Sequence, residues 1–208
     1  MGAHPAGHGV TAGVRMPRRI HIFGASGSGT TTLGLALAAA HGRRHLDTDD
    51  FFWLPTVPPY REIRPREARL PMLRRALAES PSWVLSGSLC GWGDPLIPNF
   101  DLVVFLVVPT EVRLARLRAR EVQRYGREAI APGGELHGSH TEFLDWAARY
   151  DTGGPEMRSR AMHEAWLATL PGATLRLEGD RPVADQLRRI EAAVAAGLPS
   201  GGADRRPH

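Results

Sequence analysis

Apolar and polar positions along the chain alternate between two periods. Arg19–Phe23 is a short strand-like run that ends in glycine, and Thr31–His41 is an Ala/Leu-rich helix. Arg44–Leu46 reads as a short strand ending in acids. Pro65–Glu79 places Leu70, Leu73 and Leu77 on one helical face, with Pro71 marking either a kink or the true start. Trp83–Leu85 reads as a strand running into Ser86-Gly87, and Leu102–Val108 as a continuous apolar, fully buried strand. Pro109 opens a helix through about Arg124, as proline does in a first turn. Thr174–Leu177 and Pro182–Ala195 read as the last strand and the last helix.

Strands alternating with helices predict an α/β fold: a five-stranded parallel sheet in three layers, flanked by helices. Tyr125–Pro171 breaks the rhythm, with helical stretches near His140–Tyr150 and Pro155–Leu170. Two readings of it stand: a helical lid insertion over a ligand, or a plain connecting hairpin. The boundaries expected are a disordered tail over 1–17, one domain over 18–197 with its insertion at about 125–171, and a second tail over 198–208. Both tails are assigned from Gly, Ala, Pro and His content without periodicity. Met16 is a possible alternative start.

Composition narrows the class. The 208 residues, 42% hydrophobic, suffice for one sizeable core. No apolar run approaches the ~18 residues of a membrane span, and the N-terminus lacks the pattern of a signal peptide. A cytoplasmic location without membrane association is the expectation. The single cysteine, Cys90, excludes an intramolecular disulfide and a multi-cysteine zinc site. The net charge is +4, and all 26 basic residues are Arg, because the chain contains no Lys. Every fixed side-chain cation is therefore a guanidinium, suited to bidentate phosphate or carboxylate binding. These arginines are scattered among acids with no aromatic-interleaved basic stripe, which argues against a nucleic-acid partner. The oligomeric state is left open.

The chemistry concentrates at Gly24-Ala25-Ser26-Gly27-Ser28-Gly29-Thr30-Thr31-Thr32, between a predicted strand and a predicted helix. Glycines let successive N–H groups converge on one anion, and the helix start adds its positive dipole end. The spacing G-x-x-x-x-G is that of a phosphate loop, and Thr31 holds the hydroxyl position that ligands Mg²⁺. The Lys expected after the second glycine is Thr30 instead, whose hydroxyl can donate a hydrogen bond but cannot neutralise charge. Either an Arg takes over, or Mg²⁺ and the backbone suffice, or γ-phosphate transfer is weak.

The second strand ends in Asp47-Thr48-Asp49-Asp50. Ligands in open parallel sheets bind at strand carboxyl ends. Asp47 is thus a candidate Mg²⁺ ligand beside Thr31, and Asp49 a candidate base for a substrate hydroxyl; a solvated acidic turn is the plainer alternative. Phe51, Phe52, Trp53 and Tyr60 either line a substrate pocket or pack in the core. Arg61, Arg64 and Arg66 follow, and Arg64 is the candidate clamp for an anionic group. Gly87 and Ser88, at the glycine-rich end of the third strand, are assigned to the substrate wall. His137 and His140 read as surface residues rather than a zinc pair.

These motifs resemble the P-loop nucleoside monophosphate kinase and shikimate kinase group. Asp47-Thr48-Asp49 is most similar to shikimate and gluconate kinases, where the first Asp serves Mg²⁺ and the second holds substrate hydroxyls. Arg116 and Arg120 resemble the group's paired arginines before the lid, which implies Arg116 on the base and Arg120 near the phosphates. Gly179-Asp180-Arg181-Pro182 resembles the loop whose backbone touches adenine. Lids of the group bring arginines onto the transferring phosphate, and Arg124, Arg127, Arg158 and Arg160 are the candidates, with Arg120 and Arg160 favoured as the charge replacement. The loop Gly27–Thr32 also resembles that of adenylate-kinase-related proteins with Gly-Ser-Gly-Thr-Thr-Thr. The resemblance spans Arg19–Ala195. It departs at Thr30 and at Ser86–Gly93, which lacks the best-known third-strand signatures. It implies ATP or GTP with Mg²⁺ and a small-molecule phosphate acceptor. Three functions follow: a kinase acting on a hydroxyl, a kinase acting on a nucleoside monophosphate, or a non-catalytic or slowly hydrolysing nucleotide-binding protein because of Thr30.

Overall fold

The computed structural model describes residues 16–198. Its strands are β1 (Arg19–Gly24), β2 (Arg44–Asp47), β3 (Trp83–Ser86), β4 (Leu102–Val107) and β5 (Ala173–Glu178). They form one all-parallel sheet in the order β2-β3-β1-β4-β5. The helices are α1 (Thr30–Ala40), α2 (Asp49–Phe52), α3 (Arg66–Ala78), α4 (Thr110–Tyr125), α5 (Arg127–Ile130), α6 (His137–Ala148), α7 (Arg160–Leu167) and α8 (Val183–Ala195). The expected α/β fold, a five-stranded parallel sheet between helical layers, is what the chain adopts.

Both faces of the sheet are covered, which explains why β1 and β4 read as nearly continuous apolar runs. On one face Ile20, Ile22, Val104 and Leu106 pack with Leu33 and Leu37 of α1 and Ile190 of α8. On the other, Phe23, Phe105 and Leu85 pack with Leu73 and Leu77 of α3 and with Trp166 of α7. Burying each of these side chains contributes about 1.5–3 kcal/mol before conformational entropy is counted.

Three sequence expectations change. Met16 and Pro17 belong to the domain and not to a tail: Met16 is buried in the α1–α8 core cluster, and Arg43 donates to the carbonyls of both residues. Leu198, also assigned to a tail, packs against the same cluster. The remainder of both expected tails lies outside the described residues. Of the two readings of Pro71, the true start is excluded, because α3 begins at Arg66 and runs through the proline. Ser159 sets the start of α7 later than Pro155, because its side chain accepts from the Met162 N–H at 3.1 Å and caps the helix.

Candidate active site

The carboxyl ends of β1, β2 and β3 meet at one rim. β1 leads into the glycine loop, whose turn is closed by the Ser28 N–H donating to the Ala25 carbonyl at 3.1 Å. Two glycines there have no substitute. Gly27 has φ +80°, and a Cβ on it would stand 2.6 Å from the Arg113 carbonyl oxygen of α4. Gly29 caps α1 at φ 92° in the left-handed region. No side chain caps the first turn of α1. Its N–H groups and dipole are therefore free to serve an anion in the cavity in front of them.

That cavity holds about 870 Å³, a volume that suits a nucleotide with a second small molecule. Gly24, Ser26, Gly27, Gly29, Thr30, Thr31 and Thr32 form its floor. Ser28 is different: its side chain is buried beneath the loop, and its Oγ has no hydrogen-bond partner.

Asp47, Asp49, Gly87 and Ser88 line the same cavity. Thr31 Oγ1 donates to Asp47 Oδ2 at 2.7 Å, and the other carboxylate oxygen accepts the Asp49 N–H at 3.0 Å. The β2 and β3 ends are locked together by the Thr48 N–H donating to the Ser86 carbonyl at 2.8 Å. Gly87, at φ +99°, lies so close to Thr48 that any Cβ would collide with its hydroxyl. Asp49 is mostly buried, and its carboxyl pKa is raised, first by burial and then by the Asp47 charge. Arg158 and Arg120 act against that shift, so both guanidinium charges reach Asp49. Burial lowers the Arg120 pKa, with Arg124 adding like-charge repulsion.

The far wall comes from α4 and from the expected lid segment. Arg116, Arg120, Arg124, His140, Trp146 and Arg158 are among its lining residues. Arg116 donates to the Gly27 and Ser28 carbonyls, both at 3.3 Å, and pairs with Asp180, so it fastens the loop as well as lining the cavity. Arg124 lies over the Tyr60 ring, 4.5 Å from its centroid. Phe52, Trp53 and Tyr60, read from the sequence as either pocket or core, line the cavity.

Four expected residues stand elsewhere. Arg160 is outside the cavity wall: as the first residue of α7 it faces Asp151 and Glu164, at 3.8 and 3.6 Å. Arg158, two residues earlier and ahead of the Ser159 cap, lines the cavity in its place. Arg64 is also outside it. Its guanidinium donates to the carbonyls of Asp50, Phe51 and Trp53, closing the C-terminal end of the short helix α2. Arg61 is the member of that trio with Arg64 and Arg66 that lines the cavity. Gly179 sits at the end of β5, where its N–H donates to the Val107 carbonyl at 2.9 Å, and it does not line the cavity. Arg127 likewise lies off the wall.

A buried network escaped the sequence altogether. Ser88 Oγ lies 3.0 Å from His163 Nε2, and His163 Nδ1 lies 2.8 Å from the Tyr150 hydroxyl. Ser88 and His163 are 75 residues apart, so no local spacing could reveal their contact. His137 Nδ1 lies 3.0 Å from the Ile130 carbonyl oxygen and His140 lines the cavity; among the described residues no group of three or more His, Cys, Asp or Glu is placed to hold a metal. Among the described residues no helix is long and apolar enough to cross a membrane.

No family model matches the chain. It is similar in structure to the shikimate kinase from Acinetobacter baumannii solved in complex with shikimate, with a TM-score of 0.53 and 20% identity over 88% of this chain and 96% of that one. The shikimate kinase from Bacteroides thetaiotaomicron gives a TM-score of 0.54 at 20% identity, covering 86% of this chain and 99% of that one. In sequence, 113 to 114 residues are 31–32% identical to the cytidylate kinases of Methanocorpusculum labreanum and Pyrococcus horikoshii. The matches span 63% and 57% of those enzymes and about half of this chain. The "Uncharacterized protein YqaC" of Bacillus subtilis is 48% identical over 175 residues, covering 84% of this chain and 96% of that protein. On a fold of the P-loop kinase-like group, the chain therefore belongs to the family of YqaC.

Proposed function

We propose that this protein is an ATP-dependent phosphotransferase that moves the γ-phosphate to a hydroxyl of a small metabolite. The observation that carries the reading is Asp49: a mostly buried carboxylate facing the same cavity as the phosphate loop, within reach of the Arg120 and Arg158 charges. A hydroxyl beside it can surrender its proton as the new P–O bond forms. A phosphate acceptor at that position meets a like charge instead.

The residues at the loop fit Mg²⁺. Thr31 and Asp47 offer a hydroxyl and a carboxylate at hydrogen-bond distance, an all-oxygen set facing the cavity. These two side chains are the proposed holders of the ion, which when bound neutralises charge on the β- and γ-phosphates. The protein's own share is binding and orientation. The loop N–H groups and the first turn of α1 receive the phosphate chain, and Gly29 and Thr30 let it approach. Arg120 and Arg158 supply the positive charge that Lys provides elsewhere, while the far-wall residues exclude water and so strengthen those contacts.

A second reading has an observation of its own. Phe52, Trp53 and Tyr60 give the acceptor side flat aromatic walls, and the matched stretch of archaeal cytidylate kinases adds sequence support. A nucleoside monophosphate as acceptor suits both. GTP in place of ATP is compatible with the loop.

ADP release is measured with ATP and Mg²⁺ across hydroxy acids, sugars, nucleosides and nucleoside monophosphates. Turnover with an alcohol supports the leading reading, and turnover with a monophosphate supports the second. ATP binding without ADP release from any acceptor points to a non-catalytic nucleotide-binding protein, the consequence expected if Thr30 is not compensated.

A further inference from the structure

Ser88, His163 and Tyr150 form a chain of hydrogen bonds from the cavity into the protein. Ser88 lines the cavity and is 7% exposed, His163 is fully buried, and Tyr150 is 5% exposed. Ser88, neutral His163 and Tyr150 carry three protons for two contacts, and the direction in which these are donated decides what Ser88 offers a ligand.

The direction follows from counting donors. Tyr150 has one hydroxyl proton, and His163 Nδ1 is its only hydrogen-bond partner among the described residues. A buried hydroxyl proton without an acceptor costs about 1–3 kcal/mol, so Tyr150 donates to Nδ1. His163 is neutral, since burial, then Arg158 and His21, push its pKa down to about 3. Its one ring proton is therefore on Nε2 and is donated to Ser88 Oγ. The Ser88 proton is left over. Its other neighbour, the Cys90 thiol, is a weak acceptor, and the open side is the cavity.

We propose that Tyr150 and His163 act as positioning residues that fix Ser88 as a hydrogen-bond donor into the acceptor half of the cavity. The atom of the phosphate acceptor that meets Ser88 is then a carbonyl, carboxylate or phosphoryl oxygen, and not an N–H or an obligate donor. The opposite polarity makes Ser88 an acceptor and selects the reverse chemistry. This deepens the phosphotransferase reading and rests on it for the role of the bound molecule, but the proton direction stands independently of any ligand.

The first readout is long-range ¹H–¹⁵N NMR of the full-length protein without ligand, with the His163 signals assigned by their loss in His163→Leu. The expected result is a neutral ring protonated at Nε2, with that preference weakened in Tyr150→Phe. A ring protonated at Nδ1, or an imidazolium at neutral pH, overturns the proposal. The second readout is a titration of shikimate, gluconate and cytidine monophosphate into protein saturated with Mg²⁺ and a non-hydrolysable ATP analogue. At least one of these oxyanion-bearing probes is expected to bind, about tenfold or more weakly to Ser88→Ala, the loss appropriate to one hydrogen bond to a charged group. The analogue's own affinity is expected to be unchanged in that variant. Binding by none of the three probes, or equal affinity in Ser88→Ala, overturns the assignment. Failure of the analogue itself to bind instead contradicts the nucleotide reading, and the tautomer result remains decisive for the network.

Discussion

Thr31 Oγ1 donates a 2.7 Å hydrogen bond to Asp47 Oδ2, joining the first turn of α1 to the end of β2 across 16 residues of sequence. Both groups face the cavity, and they are the proposed holders of Mg²⁺. Thr31→Val and Asp47→Asn are each expected to raise the Mg²⁺ concentration needed for half-maximal turnover. The loss is expected to be at least the ~10–100-fold that removing an outer-shell partner of a metal costs. Mg²⁺ titration of ADP release checks this, and unchanged Mg²⁺ dependence in both variants contradicts the assignment.

Asp49 titrates above the usual aspartate value, because burial and Asp47 disfavour its ionised form. If the ionised carboxylate accepts the substrate proton, kcat/KM falls as pH drops through that raised pKa, earlier than for an exposed Asp. Linkage gives the matching stability effect. A carboxyl with a raised folded-state pKa favours folding most fully below its unfolded pKa, and that contribution is lost as pH rises through the folded pKa. Asp49→Asn is therefore expected to be inactive but more stable than the parent near neutral pH, with the gain vanishing in acid. Thermal melts across pH, with the activity profile, provide the check.

The reverse sign applies to His21 and His163, both pushed down to about 3 by burial. The unfolded chain titrates them near the ordinary value of about 6.5. Stability is expected to fall as pH drops from there toward 3, with about two protons taken up on unfolding near pH 5 beyond those of the carboxylates. Replacing His163 by Leu should remove about one of them. Denaturant midpoints as a function of pH measure the slope.

Arg113 is fully buried in α4, where it donates to the Val108 and Ala147 carbonyls and pairs with Asp151 at 2.9 Å. It thereby ties the carboxyl end of β4 to the end of α6. Arg113→Ala leaves those carbonyls without their donor and opens a cavity beside Tyr150, over whose ring the guanidinium lies at 4.8 Å from the centroid. A destabilisation of about 3 kcal/mol or more is expected, the usual cost of breaking a buried pair. Chemical denaturation is the measurement.

The sequence carried the sheet and the phosphate loop because their signals are local. A strand, a G-x-x-x-x-G spacing and an Ala/Leu helix lie within twenty-odd consecutive residues, and Asp47 and Asp49 follow directly from the end of β2. The arginines were less legible. Arg64 and Arg158 have the same chemistry; what separates them is that Arg64 closes α2 through three backbone carbonyls. Arg158 and Arg160 differ by two positions, and the Ser159 cap that sends them different ways is a single hydrogen bond. The Ser88–His163 contact depends on how α7 packs against Phe23 of β1 and Phe105 of β4, which no periodicity encodes. Met16 reads as tail in the sequence because Gly, Ala and His precede it, yet its buried side chain and the Arg43 contacts hold it to the domain.

On the proposed reading a loop without lysine still binds ATP because Arg120 and Arg158 supply the charge. Calorimetric titration of Mg²⁺-ATP into the full chain measures this. Saturable one-site binding is expected, weakened about tenfold by Arg120→Ala and again by Arg158→Ala, the scale of one charge-assisted contact each. Absence of binding at millimolar ATP, or affinity indifferent to both substitutions, contradicts it.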